Sequence, residues 1–278
     1  MTKQYRWIDW IEERVSVRTY DNQRLTEYDF NDLNTFIHNE IQSSKTTMRI
    51  EIIHSNLDSN TNQKFGTYGF INGTNSFIAG IINKNETNPV EFGYTMEKIV
   101  LFATGCGFGT CWLGGTFNRS QFEEVLNLDE NESIGVLIAI GYKKDKQTIM
   151  DHAVRYMAKA NTRKLWNELF FDKSIEFELN KNDLYSTVLE MVRIGPSASN
   201  KQPWRIIKDE MIYHFYCCRT PGYGIMEFDL QMNDMGIAMC HFELSATELG
   251  FRGSWEEVKS KNIDGLEYVK SWKIENTD

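Results

Sequence analysis

Long apolar runs are missing from this chain: across its 278 residues none comes near the length needed to cross a bilayer, so a membrane-embedded protein is not expected. Positive charge is short as well. The formal net charge of −9 argues against general affinity for nucleic acid or anionic membrane, both of which need a net basic face, and leaves room only for a local basic pocket. Cysteine is scarce and odd in number, 5 residues at irregular spacing with Cys217 and Cys218 adjacent, a pattern that does not build a secreted disulfide framework. The thiols are expected to be reduced and mostly buried. His38, His54, His152, His214 and His241 stand apart from one another and no Cys/His spacing of a zinc site occurs, so no metal is expected. The first twenty residues lack the uninterrupted apolar core of a signal peptide, because Lys3, Arg6, Asp9, Glu12 and Glu13 break it, and the expected location is the cytoplasm.

What is present is a globular composition, 41% hydrophobic and 13% aromatic, at a length that suits one large domain or two halves of common size. Trp7, Ile8, Trp10 and Ile11 predict a first helix, and Leu33, Phe36 and Ile37 a second. Residues 49–54 read as a strand, and residues 69–82 as a strand with a glycine-rich interruption or as two short strands. Tyr94, Met96, Ile99, Val100, Phe102 and Ala103 predict a buried helix capped at its end by Gly105, and residues 134–140 a central strand.

The second half replays this order. Leu184, Val188, Leu189 and Val192 predict a helix, residues 204–207 and 212–216 strands, and residues 234–250 a buried helix with Asp234 as its first cap and Gly250 as its last. Gly107-Phe-Gly-Thr-Cys-Trp112 is matched by Gly250-Phe-Arg-Gly-Ser-Trp255 at the same glycine-to-tryptophan spacing. The expectation is an internal duplication: residues 1–150 as one half, 163–278 as the other, 151–162 connecting them, with a site in between. The alternative is a convergent pair of helix-to-strand turns.

Two motifs carry the chemistry. In Arg14-Val-Ser-Val-Arg18 two cations and a hydroxyl alternate, so an extended backbone turns all three toward one face, as phosphate binding requires; taken alone, the pattern is more commonly an exposed charged turn. In Gly195-Pro-Ser-Ala-Ser-Asn-Lys-Gln-Pro-Trp204, Pro196 and Pro203 stiffen a loop in which Ser197, Ala198 and Ser199 leave room for a flat ligand and Asn200 offers both a donor and an acceptor. Ser197 as a helix cap and Trp204 as core are compatible with the same residues. Arg163 and Lys164 offer further cationic contacts. Gly105-Cys-Gly-Phe-Gly-Thr110 follows a helix rather than a strand, the wrong context for a dinucleotide-binding loop. Cys106 and Cys111 have no base near them in sequence, and Glu97 and Glu243 sit in matching buried helices where each needs a partner.

With these motifs the chain resembles the nitroreductase family of FMN-dependent oxidoreductases, whose members carry an Arg-Arg-Ser-x-Arg segment and a Pro-Ser-x-x-Asn-x-Gln-Pro-Trp loop. The resemblance covers nearly the whole chain and is to a branch in which two subunits are fused, which implies an α+β fold of two related halves packed as an intramolecular pseudo-dimer. It implies that Arg14, Val15, Ser16 and Arg18 hold phosphate, ribityl and the flavin N1/O2 edge, with Arg163 or Lys164 completing the phosphate site. Pro196, Ser197, Ala198 and Asn200 would come from the opposite half, and Leu113, Gly114 and Gly115 would face flavin N5 and O4. Val15 departs from the commoner Arg or His. The segment 42–46 stands where the first half would carry the Pro-Ser loop and lacks it, which implies one FMN per chain.

The resemblance further implies NAD(P)H as electron donor, a nitroaromatic or quinone acceptor, a ping-pong cycle, and Arg18 as stabiliser of the anionic hydroquinone, with no catalytic side chain beyond flavin N5. No nucleic-acid or membrane partner is expected, and a monomer suffices for one site. The rival readings are a flavin-binding carrier or sensor without turnover, and a thiol enzyme using Cys106 or Cys111.

Overall fold

The computed structural model describes residues 5–54, 66–144, 162–224 and 228–275. The expected connecting segment lies, apart from Thr162, outside the described residues.

In the first half, α1 (Trp7–Glu13) and α2 (Glu27–Ser43) precede β1 (Met48–His54) and β2 (Ser76–Asn83); α3 (Pro89–Gly105), β3 (Gly109–Leu113), α4 (Arg119–Leu126) and β4 (Glu132–Gly141) follow. In the second, β5 (Phe170–Asp172) and α5 (Ser186–Arg193) lead to β6 (Trp204–Asp209), β7 (Ile212–Cys217), α6 (Leu230–Glu248), β8 (Gly253–Glu256) and β9 (Glu267–Ile274). The first sheet has the order β1-β2-β4-β3 and the second β5-β6-β7-β9-β8. Without β5, which pairs parallel to β6, the second sheet repeats the antiparallel order of the first. The fold is α+β, with two related halves.

The halves meet along α3 and α6, whose side chains are buried on nearly every face, so each helix needs apolar neighbours all round. The backbones touch at glycine. A Cβ on Gly93 would sit 2.1 Å from the Asn233 carbonyl oxygen, and one on Gly236 would sit 2.0 Å from that of Val90. Gly236 stands to Gly93 at the same sequence offset as Asn233 to Val90, so the two contacts are exchanged by a two-fold relation, as in an isologous dimer interface. The hydrophobic cores interpenetrate accordingly: Met191, Cys240 and Leu244 of the second half lie in the core built on α2, α3 and β4.

Both helices end in the same way. Gly107 (φ +90°) and Gly250 (φ +81°) take the left-handed conformation that follows a helix end. The amides of Phe108 and Phe251 donate to the carbonyls of Ala103 and Ala246, and those of Gly107 and Gly250 to Thr104 and Thr247. This corrects two expectations. Gly105 is the last helical residue and is needed because a Cβ there would meet the Trp10 ring at 2.2 Å; the cap is Cys106. Asp234 lies inside α6, whose N-cap is Asp229, its carboxylate accepting from the Gln231 and Met232 amides. Of residues 69–82 only Ser76–Asn83 is strand; Gly69 (φ +78°) and Gly73 (φ +82°) turn the chain before it. Leu184, expected on a helical face, is exposed ahead of α5.

Candidate functional site

α1 delivers the first motif. Arg14 is its C-cap in extended conformation, after which Ser16 bridges Thr110 in parallel and the Val17 amide donates to Thr110 O at 2.8 Å. The segment therefore lies against β3, within reach of the glycines that follow it. Arg14 turns inward and is 7% exposed, while Val15 beside it is 41% exposed and points away, so no side chain replaces the commoner cation there. Ser16 and Arg18 stay together, half-buried, with Arg18 Nη1 3.5 Å from Ser16 O. Arg14 is drawn instead to Glu97, its Nε 3.8 Å from Oε1, and that buried Nε has no hydrogen-bond partner among the described residues.

The second motif is a turn held from within. Ser199 (φ 47°), Asn200 (φ 54°) and Gln202 (φ 49°) are non-glycine residues in the left-handed region, a conformation that persists only where surrounding bonds enforce it. Those bonds are present. Asp234, 1% exposed, accepts the Ala198 amide on both carboxylate oxygens at 3.1 and 3.0 Å. The Gln202 amide donates to Ser197 Oγ at 2.9 Å, and Tyr223 donates its hydroxyl to Ser199 Oγ at 2.8 Å. Asn200 Nδ2 donates to Thr162 O at 2.9 Å while its Oδ1 accepts from Gln202 Nε2 and Arg163 Nη1, so the amide expected to face a ligand is engaged within the protein.

The motifs meet across the halves. Arg163 donates to Ile194 O at 3.2 and 3.0 Å, and its guanidinium is pushed down to about 10 by burial first, then by Arg14 and Arg193. Lys164 is lowered by burial and by Arg205, with Lys201 adding to it. A cluster of cations thus sits in an acidic chain. On the other side, a Cβ on Gly114 would meet Leu230 Cδ1 of α6 at 3.2 Å, whereas Gly115 has nothing within 4 Å. Leu113 is 3% exposed and belongs to the core, so it can offer a ligand only its backbone.

Beside these cations lies a polar network in which Glu97, expected to need a partner, finds it in the other half. Glu97 of α3 and His241 of α6, both fully buried, meet at 2.8 Å between Oε1 and Nε2. Trp112 Nε1 donates to Glu97 Oε2 at 2.9 Å, and His241 Nδ1 lies 2.9 Å from Met191 O. The pseudo-symmetric position repeats only part of it: Trp255 Nε1 donates to Glu243 Oε2 at 2.7 Å beside a cavity of about 220 Å³, where Lys98 pairs with Glu40 and Lys270 with Glu91. Gln202, Asp234, His241 and Tyr223 are the site residues that sequence reading missed. Gln202 had a signal in its place in the Gln-Pro-Trp of the loop.

Three of the five thiols, Cys111, Cys217 and Cys240, are buried, and Cys106 and Cys218 are partly so. Cys111 is 3% exposed, and burial raises Cys240 and pushes Cys217 up to about 12, far from the reactive range. Among the described residues no group of His, Cys, Asp and Glu is placed to hold a metal ion, and no helix is long and apolar enough to cross a membrane.

A nitroreductase from Thermotoga maritima MSB8, described as putative, is similar in structure with a TM-score of 0.58 at 19% identity, over 99% of this chain and 97% of that one. A nitroreductase family protein from Clostridium novyi NT covers 53% of this chain and 91% of its own at 21% identity and a TM-score of 0.40. An FMN-dependent nitroreductase from Clostridium difficile R20291 covers 51% and 90% at 16% identity and a TM-score of 0.39. No curated protein matches the chain. The family described as "Putative TM nitroreductase" matches residues 7–246. The chain belongs to that family and is by family an oxidoreductase of the nitroreductase type.

Proposed function

We propose that this protein is an FMN-dependent oxidoreductase that passes two electrons from NAD(P)H to a nitroaromatic, quinone or similar acceptor in a ping-pong cycle, with one FMN per chain held between the halves 1–150 and 163–278. The observation that carries the reading is that Arg163, held on Ile194 O and Asn200 Oδ1 of the second half, feels the charge of Arg14 from the first, beside a loop locked in the left-handed region. Like charges brought together and partly dehydrated call for an anion. The residues fit the cofactor: cations for a phosphate, an open face at Gly115, and close backbone at Gly114 and Ala198.

Bound there, FMN supplies hydride acceptance and donation at its N5 atom. The chain's own part is to hold and to exclude. Arg14, Arg163 and Lys164 bind the phosphate, with Ser16 as a hydroxyl donor and Arg18 available for negative charge on the bound ring. Asp234, Ser197 and Asn200 keep the loop in shape, and Gly114 and Gly115 leave one face clear for donor and acceptor in turn. Fusion of the two halves completes the site within one chain, so a monomer is competent and further association is compatible with it. At the pseudo-symmetric position residues 42–46 carry no Pro-Ser motif, and Lys98 and Lys270 are paired with Glu40 and Glu91, which supports a single site. FMN titration followed by thermal shift tests the binding; anaerobic mixing with NADH or NADPH tests the turnover. A protein that stays unchanged by FMN at high concentration overturns the reading.

A further inference from the structure

The buried pair Glu97–His241 obeys a proton count that the hydrogen-bond partners settle. Met191 O can only accept, so His241 Nδ1 carries a proton toward it at 2.9 Å. At Nε2 the partner is Glu97 Oε1, 2.8 Å away. Two lone pairs cannot face each other at that distance in a site with no exposure, so one further proton lies between them. Its place follows from the other neighbours of the carboxyl group: Trp112 Nε1 donates to Oε2, and the Arg14 guanidinium stands 3.8 Å from Oε1. Both favour the carboxylate.

We propose that His241 is an imidazolium paired with the Glu97 carboxylate, and that the pair is a positioning device which orients Arg14 without cancelling its charge. Glu97 alone beside Arg14 would make a neutral ion pair with no attraction for a phosphate. With the imidazolium added, Glu97 still fixes the guanidinium while the cluster keeps one net positive charge toward the ligand. The geometry gives the pair reach over the whole site. Glu97 belongs to α3 and His241 to α6, Trp112 lies two residues before Gly114, and a Cβ on Gly195, where the loop begins, would meet His241 Nδ1 at 3.4 Å. The role given to Arg14 rests on the flavin reading above; the proton count does not.

The test has one arm without flavin and one with it. In the full chain labelled with ¹⁵N-histidine and free of flavin at pH 7.5, both His241 ring nitrogens should carry the signature of an imidazolium, reverting to a single protonated nitrogen in Glu97→Gln. In the second arm FMN affinity is measured for His241→Gln, which leaves Glu97 to cancel the charge of Arg14 and should weaken binding about tenfold or more, and for His241→Gln/Glu97→Gln, which restores the net charge, keeps an amide oxygen beside Arg14 and should return to within about threefold of wild type. A singly protonated His241 in the wild-type protein overturns the proposal, as does a double variant no better than His241→Gln. A merely structural role predicts that second result, since two core substitutions in contact would not rescue each other. If the wild-type protein binds no FMN, the flavin reading falls while the NMR arm still decides the pair, and it also decides if the variants do not fold.

Discussion

Charge at Arg163 and Asp234 governs how the binding loop responds to pH and substitution. Arg163 is pushed down to about 10, so at neutral pH it is charged at a cost to the fold; the unfolded chain binds more protons above that value, and stability from this group rises with pH from about 10 toward the ordinary arginine range. Arg163→Gln keeps a donor for Ile194 O and removes the repulsion. It should leave the flavin-free protein within about 1 kcal/mol of wild type, or more stable, while weakening FMN about tenfold; a thermal shift with and without FMN measures both. A large loss of stability without FMN would show that the crowding is already neutralised.

Asp234 is raised well above the ordinary carboxyl range by burial, against the Ala198 amide that favours its charge. The native state therefore holds a proton there that the unfolded chain has released, and the stability this contributes is lost as pH rises through the native value. Asp234→Asn cannot make that change. Its melting temperature relative to wild type should improve from pH 4 to pH 8, and parallel curves would contradict the assignment. Asp234→Leu leaves the Ala198 amide unpaired in the interior, which costs about 1–3 kcal/mol, and should loosen the loop enough to weaken FMN. Neither role was legible in the sequence. An Asp at the start of an apolar run reads as a helix cap, and only the true cap at Asp229 reveals that Asp234 faces the loop. His241 was hidden in the same way, because an isolated histidine discloses no partner that lies in the other half of the chain.

At the scale of elements, the crossing of α3 and α6 holds the closest glycine contacts among the described residues. Gly93→Ala and Gly236→Ala each drive a Cβ into backbone oxygen rather than into a side chain that can move, so each should destabilise by about 3 kcal/mol or more, read as a fall in the urea midpoint. The two-fold relation predicts similar losses for both; a harmless substitution at either would mean that the helices sit farther apart. The helices themselves were plain from their apolar patterns, and so were the strands on either side of them. Boundaries were less so. Gly105 read as a cap because glycine commonly ends helices, whereas here the constraint on it is steric, the Trp10 ring, and the left-handed position falls two residues later.

At the scale of the whole molecule the duplication was visible as a repeated glycine-to-tryptophan turn, and it reappears as repeated sheet order, repeated helix ends and exchanged glycine contacts. The asymmetry matters more for function. One side of the two-fold relation gathers Arg14, Arg163 and the strained loop, and the other holds the paired Lys98 and Lys270 around the cavity of about 220 Å³. Sequence showed where the motif had been lost, but not what replaced it, because Lys98 and Glu91 of α3 find their partners on α2 (Glu40) and β9 (Lys270), far apart in the chain. The central claim is one flavin site per chain, made by both halves. Its most direct test is flavin content per chain in protein saturated with FMN and freed of excess, read from the visible spectrum before and after anaerobic NADPH or NADH. The account predicts one equivalent, bleached by at least one donor; two equivalents or none would contradict it, and one equivalent that stays oxidised with both donors would make the protein a carrier.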